Sequence, residues 1–104
     1  MKAAVVIAVL MASAIPAHAQ VMVLGIGRMS CASWLATPSS ENEGTIWLFG
    51  YWTGVNAAIG DKVGWTTDAL GVVGAIKKRC EDDPADFLAN VAGKVFYEFR
   101  RDGR

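Results

Sequence analysis

Residues 75–84 read Ala75-Ile76-Lys77-Lys78-Arg79-Cys80-Glu81-Asp82-Asp83-Pro84, and this stretch marks the end of one helix and the start of another. Three cations followed across a cysteine by three anions suit a helix C-terminus and the next N-terminus, because the backbone dipole favours each sign there. Asp83 before Pro84, with Asp86 three residues after the cap, predicts the start of a final helix. From that start Leu88, Val91, Ala92, Val95 and Phe99 recur at helical spacing and give it one buried face. Arg100, Arg101 and Arg104 repeat the cationic ending.

Working upstream, Thr66 or Thr67 is placed to cap a third helix running through Cys80, with Leu70, Val73, Ile76 and Cys80 on a shared side. The segment Gly60-Asp61-Lys62-Val63-Gly64 reads as a turn. Ser40 and Glu43 form an S-x-x-E capping box that opens a long second helix over about Glu41 to Ile59. Ser30 caps a short first helix holding Cys31, Trp34 and Leu35, which ends near Thr37-Pro38. Val21 to Gly27 carries no assignable pattern. There are no repeats and no low-complexity linker. The expected fold is all-α: a small four-helix bundle, orthogonal or irregular, with one disulfide, after a cleaved signal peptide.

The leader supplies the compartment. Lys2, the apolar run Ala3–Ile15, the break at Pro16 and the small residues Ala17-His18-Ala19 fit an export signal cleaved between Ala19 and Gln20. The run is shorter than the ~20 residues that span a bilayer. An uncleaved anchor reaching Ile26 is the alternative, interrupted by Pro16, His18 and Gln20. The expected organisation is a signal peptide over 1–19 and one helical domain over 20–104 with its core at about 29–99. A periplasmic location is implied, with no stable membrane span after cleavage. In an oxidising compartment, Cys31 and Cys80 most simply form one disulfide. Two cysteines make only half a zinc site, and they lack the CxxC spacing of redox motifs. Closing a loop of about 50 residues is worth about 4 kcal/mol in the chain-entropy model, a large share of stability for so small a domain.

Charge and composition exclude much. The only histidine, His18, leaves with the leader. Without imidazole there is no Ser-His-Asp or Cys-His arrangement and no histidine-ligated metal. Nine Lys plus Arg stand against ten Asp plus Glu after cleavage, so no basic excess exists to grip nucleic acid. Gly25-x-Gly27 has Ser30 where a dinucleotide loop needs its third glycine. No enzyme, cofactor or metal site is expected.

On the second helix, Trp47, Gly50, Tyr51, Gly54, Val55 and Ala58 share one face, and Phe49 falls near Thr53 and Asn56 on the opposite one. A helix apolar almost all round is either central to the core or partly an association surface. Gly50 and Gly54 form a GxxxG expected to admit a neighbouring helix. Trp47, Phe49, Tyr51 and Trp52 are the candidate client or partner contacts.

Met29-Ser30-Cys31-Ala32-Ser33-Trp34-Leu35, the block Trp47-Leu48-Phe49-Gly50-Tyr51 and the stretch 75–84 together resemble the HdeA/HdeB family of periplasmic acid-stress chaperones. The likeness spans about Met29 to Phe99. It implies a helical single-disulfide protein, often a homodimer at neutral pH, that loosens in acid and holds unfolding periplasmic proteins on apolar surface. Protonating all ten carboxylates moves the mature formal charge from −1 to +9, which permits such a response. Gly50-Tyr51-Trp52-Thr53-Gly54 is also similar to a block in small exported immunity proteins of the Tai type. That likeness implies a folded protein binding one specific partner at neutral pH.

Overall fold

The final helix dominates the core. The computed structural model describes residues 21–104, and the leader 1–19 with its cleavage position lies outside the described residues. Four helices occur among these residues: α1 (Cys31–Trp34), α2 (Pro38–Ile59), α3 (Ala69–Asp82) and α4 (Leu88–Arg101), preceded by a 3-10 turn over Gly25–Arg28. No strand is present among the described residues, only an isolated antiparallel bridge between Ser30 and Phe87. The all-α, four-helix, single-disulfide architecture is therefore as expected from the sequence. On α4, Leu88, Val91, Ala92, Val95, Phe96 and Phe99 are buried, the face its apolar spacing predicts.

α4 nevertheless begins later than Asp83-Pro84 suggests. Asp83 is the C-cap of α3, its amide donating to Arg79 O. Residues 84–87 instead form a strap across α1. Cys31 N donates to Asp86 O at 2.8 Å, Ala32 N to Pro84 O at 2.9 Å, and Leu88 N to Met29 O at 2.9 Å. The first amides of α1 need acceptors outside their own helix. The strap's carbonyls supply them, which holds residues 84–87 out of helical conformation. Asp86 still serves the new helix, because its carboxylate accepts from Phe87 N at 2.8 Å and from Asn90 Nδ2 at 3.1 Å.

Two other boundaries move for local reasons. α2 starts at Pro38 rather than Glu41. Thr37 Oγ1 accepts from Ser40 N at 3.1 Å and Ser40 Oγ accepts from Thr37 N at 3.2 Å, a capping box one turn before the Ser40/Glu43 pair. Pro38 suits the first helical position, where its missing N–H costs nothing. Accordingly α1 ends at Trp34, ahead of Thr37-Pro38. α3 is capped by Asp68, whose Oδ1 accepts from Gly71 N at 2.7 Å, while Thr66 and Thr67 lie in the preceding turn. Its buried row is Val72, Ile76 and Cys80. Leu70, expected inside, is 74 % exposed because it lies about 120° round the helix from that row. Val73 is only partly buried against the core.

The ends of α2 are fastened by polar side chains. Ser30 Oγ accepts from Ser33 N at 3.1 Å to cap α1, and Trp34 Nε1 donates to Glu41 O at 2.9 Å. At the far end Gly60 takes φ 65°, a left-handed conformation open to glycine at little cost. Asn56 then grips the loop through both side-chain atoms, donating to Val63 O at 3.0 Å and accepting from Val63 N at 2.8 Å. Trp52 Nε1 donates to the same carbonyl at 2.7 Å, and its ring meets Phe96 and Phe99 edge-on at centroid distances of 4.8 and 5.5 Å. The segment before α1 also packs. Ile26 and Gly27 are buried, which carries the core back beyond Met29.

α2 lies against the bundle on one side only. Gly44, Leu48 and Trp52 are its buried residues. A Cβ at Gly44 would come within 2.2 Å of Trp34 Cδ1, whereas one at Gly50 or Gly54 would meet nothing within 4 Å. Among the described residues the GxxxG therefore seats no helix, because the bundle packs on the other side of α2. Gly44→Ala is expected to lower unfolding free energy by about 1–3 kcal/mol through overpacking. Gly50→Ala and Gly54→Ala should each raise it by about 0.5–1 kcal/mol through helix propensity. Urea denaturation of the three variants checks both signs.

Candidate functional site

Cys31 and Cys80 form the expected disulfide, with Cα atoms 5.3 Å apart and relative exposures of 0 and 1 %. Trp34, Leu48, Ile76, Leu88 and Val91 are the other large side chains buried as completely, so the bond sits in the core. It joins α1 to the last turn of α3 and encloses the whole of α2 within its loop.

The four aromatic candidates separate into three environments. Trp52 is buried among Phe96 and Phe99 and is a core residue in this state. Trp47 and Tyr51 stack at 5.2 Å, and the Trp47 indole lies over Gly27, where an added Cβ would come within 2.3 Å. Trp47 Nε1 also donates to Leu24 O at 2.8 Å, so this pair pins the 3-10 segment to α2. Burial holds the Tyr51 hydroxyl above its ordinary pKa. Only Phe49 is substantially exposed, at 41 %. The sequence grouped the four by chain proximity, but at 100° per residue they point to different sides.

Around Phe49 lies a surface that the sequence pattern did not isolate. A shallow cleft of about 160 Å³ runs between α2 and α3, lined by Leu48, Phe49, Trp52, Thr53, Val72 and Val73. Ala69 closes its end, and no charged residue lines it. Leu70 stands exposed on the α3 side and Ile46 on the α2 side. Along α2, the exposed residues Ile46, Phe49, Gly50, Thr53, Gly54 and Ala57 give more than two turns of solvent-facing helix without a charge. α2 is thus not apolar all round because it is central. It is central on one side and bare on the other.

Ion pairs link the elements around this surface. Glu41 of α2 pairs with Lys77 of α3, Glu98 of α4 with Arg79 of α3, and Asp61 of the α2–α3 loop with Arg100 of α4 at 3.1 Å. Asp86 pairs with Lys94 at 2.8 Å. The hydrogen bond from Lys94 lowers the Asp86 carboxyl below its ordinary pKa, with Asn90 and the Phe87 amide adding to it against partial burial. Asp61 is lowered first by the Lys62 amide and then by Arg100. Among the described residues no buried side chain is polar or charged, and no cluster of metal-ligating groups occurs.

Among known protein families, curated proteins and solved structures, none matches this chain. The reading of its surfaces therefore rests on their own chemistry.

A carboxylate with a lowered native pKa contributes stability above its ordinary value and loses that contribution as pH falls through the depressed one. Asp86→Asn should therefore lose stability at pH 7, by about 1 kcal/mol for a partly exposed pair. The difference between variant and parent should shrink as pH falls through the depressed Asp86 value, where the parent carboxylate becomes neutral. Thermal unfolding midpoints measured as pH falls from 7 test the trend.

Proposed function

We propose that the chain is an exported, non-enzymatic protein-binding module that works in its folded state, taking an apolar segment of a partner protein into the α2–α3 cleft. The observation that carries this reading is the uncharged surface around Phe49, open to solvent while the disulfide core beneath it is complete. A small domain gains stability from every apolar side chain it buries, so leaving Ile46, Phe49 and Leu70 outside calls for a use. The similarity of Gly50-Tyr51-Trp52-Thr53-Gly54 to exported immunity proteins agrees with a partner bound at neutral pH. A disulfide is compatible with export, and among the described residues no helix is long and apolar enough to cross a membrane.

A second reading, an acid-activated holdase like the HdeA/HdeB chaperones, is favoured by one specific observation. Glu41–Lys77 ties α2 to α3, Glu98–Arg79 ties α4 to α3, and Asp61–Arg100 ties the α2–α3 loop to α4. Acid weakens surface ion pairs of this kind and leaves the disulfide in place, the combination a loosened but stapled state requires. Trp47, Tyr51 and Trp52 would then join Phe49 as client contacts for unfolding periplasmic proteins.

The readings separate by pH. On the first, the oxidised protein forms a stoichiometric complex with one exported partner at pH 7. Phe49→Ser and Leu70→Ser each weaken it about tenfold or more, as expected for buried hydrophobic anchors, with the unfolding midpoint kept. On the second, no complex forms at pH 7, and the protein suppresses aggregation of a test client at pH 2–3 while staying soluble itself. A partner bound equally by parent and both variants contradicts the cleft assignment. Coaggregation with the client in acid contradicts the holdase.

A further inference from the structure

The strap at residues 84–87 is bonded directly to a disulfide cysteine, yet it lies at the surface. Cys31 and Cys80 are fully buried, whereas Pro84, Ala85 and Phe87 are exposed and Asp86 is only partly buried. No side chain of residues 84–87 belongs to the buried core. What holds the strap is polar. Its carbonyls accept from Cys31 N and Ala32 N at 2.8 and 2.9 Å, and just beyond it Leu88 N donates to Met29 O at 2.9 Å. One side chain fastens it to α4: the Asp86 carboxylate accepts from Phe87 N at 2.8 Å, Asn90 Nδ2 at 3.1 Å and Lys94 Nζ at 2.8 Å. A segment with few apolar contacts and solvent-facing hydrogen bonds opens well before the core does.

Release of the strap has a defined consequence for α1. The amides of Cys31 and Ala32 lose their acceptors. Four residues then keep only the bonds from Trp34 N to Ser30 O and from Leu35 N to Cys31 O, together with the Ser30 cap. That is too little to hold a helix of this length. Cys80, by contrast, sits in the last turn of the 14-residue α3, with Ile76 buried one turn before it. The sulfur that emerges is therefore Cys31 Sγ.

We propose that the strap is the gate of a redox switch: local release of residues 84–87 opens the Cys31–Cys80 bond to thiol–disulfide exchange while α2, α3 and the body of α4 stay folded. An incoming thiolate of a dithiol attacks Cys31 Sγ, and Cys80 leaves as a thiolate with the electron pair of the broken S–S bond. The second thiolate of the same dithiol attacks its own sulfur in the mixed disulfide and frees Cys31. The protein gains two electrons, the dithiol becomes a disulfide, and the two cysteine thiolates take up the protons the dithiol lost. Loss of the staple then removes the constraint on the helices, so a local opening becomes a global loss of stability.

The test is the rate at which excess dithiothreitol reduces the oxidised protein at pH 8, read by mass spectrometry of alkylated thiols across urea concentrations below the unfolding transition. Opening confined to the strap exposes little surface, so the parent rate should be nearly flat with urea. Asp86→Ala removes the strap's side-chain fastening and should raise the rate about fivefold or more. Asn56→Ala breaks both side-chain bonds to Val63 at the far end of α2, and should lower global stability while leaving the rate unchanged. A parent rate that climbs with urea at the slope of global unfolding overturns the proposal, whether or not Asp86→Ala folds. So does equal acceleration by Asn56→Ala and Asp86→Ala, since the bond would then be reached only through the unfolded chain. A rate unchanged in folded Asp86→Ala also overturns it, by placing the route to the sulfur elsewhere.

Discussion

The bond between Cys31 and Cys80 is the constraint on which the rest of the molecule depends. α1 has four residues, far too few to hold helical form unaided. It persists because its cysteine is tied to α3, its first amides bond the strap at residues 84–86, and Ser30 caps it. Through the same strap the bond sets where α4 can start. Through Trp34, which is fully buried against Gly44, it sets where α2 lies. One covalent link thus positions all four helices.

That economy explains the surface. With the staple supplying stability, the core is built mostly from α4 and the row Val72–Ile76–Cys80, and α2 contributes only Gly44, Leu48 and Trp52 from 22 residues. The apolar residues Ile46 and Phe49 of α2 and Leu70 of α3 are then left exposed. On the far side, the aromatic pair Trp47 and Tyr51 fixes the 3-10 segment against α2.

The sequence made some of this plain and hid the rest, for identifiable reasons. The buried side of α4 was legible residue by residue, since Leu88, Val91, Ala92, Val95 and Phe99 follow a period that only a helix satisfies. The disulfide was legible because the leader-like start implies an oxidising compartment, where two thiols without CxxC spacing have few other fates. The starts of α2, α3 and α4 each moved because cap residues compete. Thr37, Asp68 and the strap carbonyls won through contacts with Ser40, Gly71 and α1 that no local pattern reveals. The segment Val21–Gly27 was unreadable because what orders it, the indole of Trp47, is more than twenty positions away. The aromatic candidates were half legible. Their composition pointed to α2, but which of them faces water was decided by where α3 and α4 dock. For that reason Leu70 and the cleft beside Phe49 emerged only in three dimensions.

The most direct test of the staple's role is equilibrium urea unfolding of the oxidised protein against the Cys31→Ala/Cys80→Ala variant. The bond closes a loop between residues 49 positions apart. It should stabilise the fold by about 4 kcal/mol, so the variant is expected to be marginally folded or unfolded at 25 °C. Coincident unfolding midpoints for the two proteins would contradict the account, since the core and the strap would then hold the four helices without the bond.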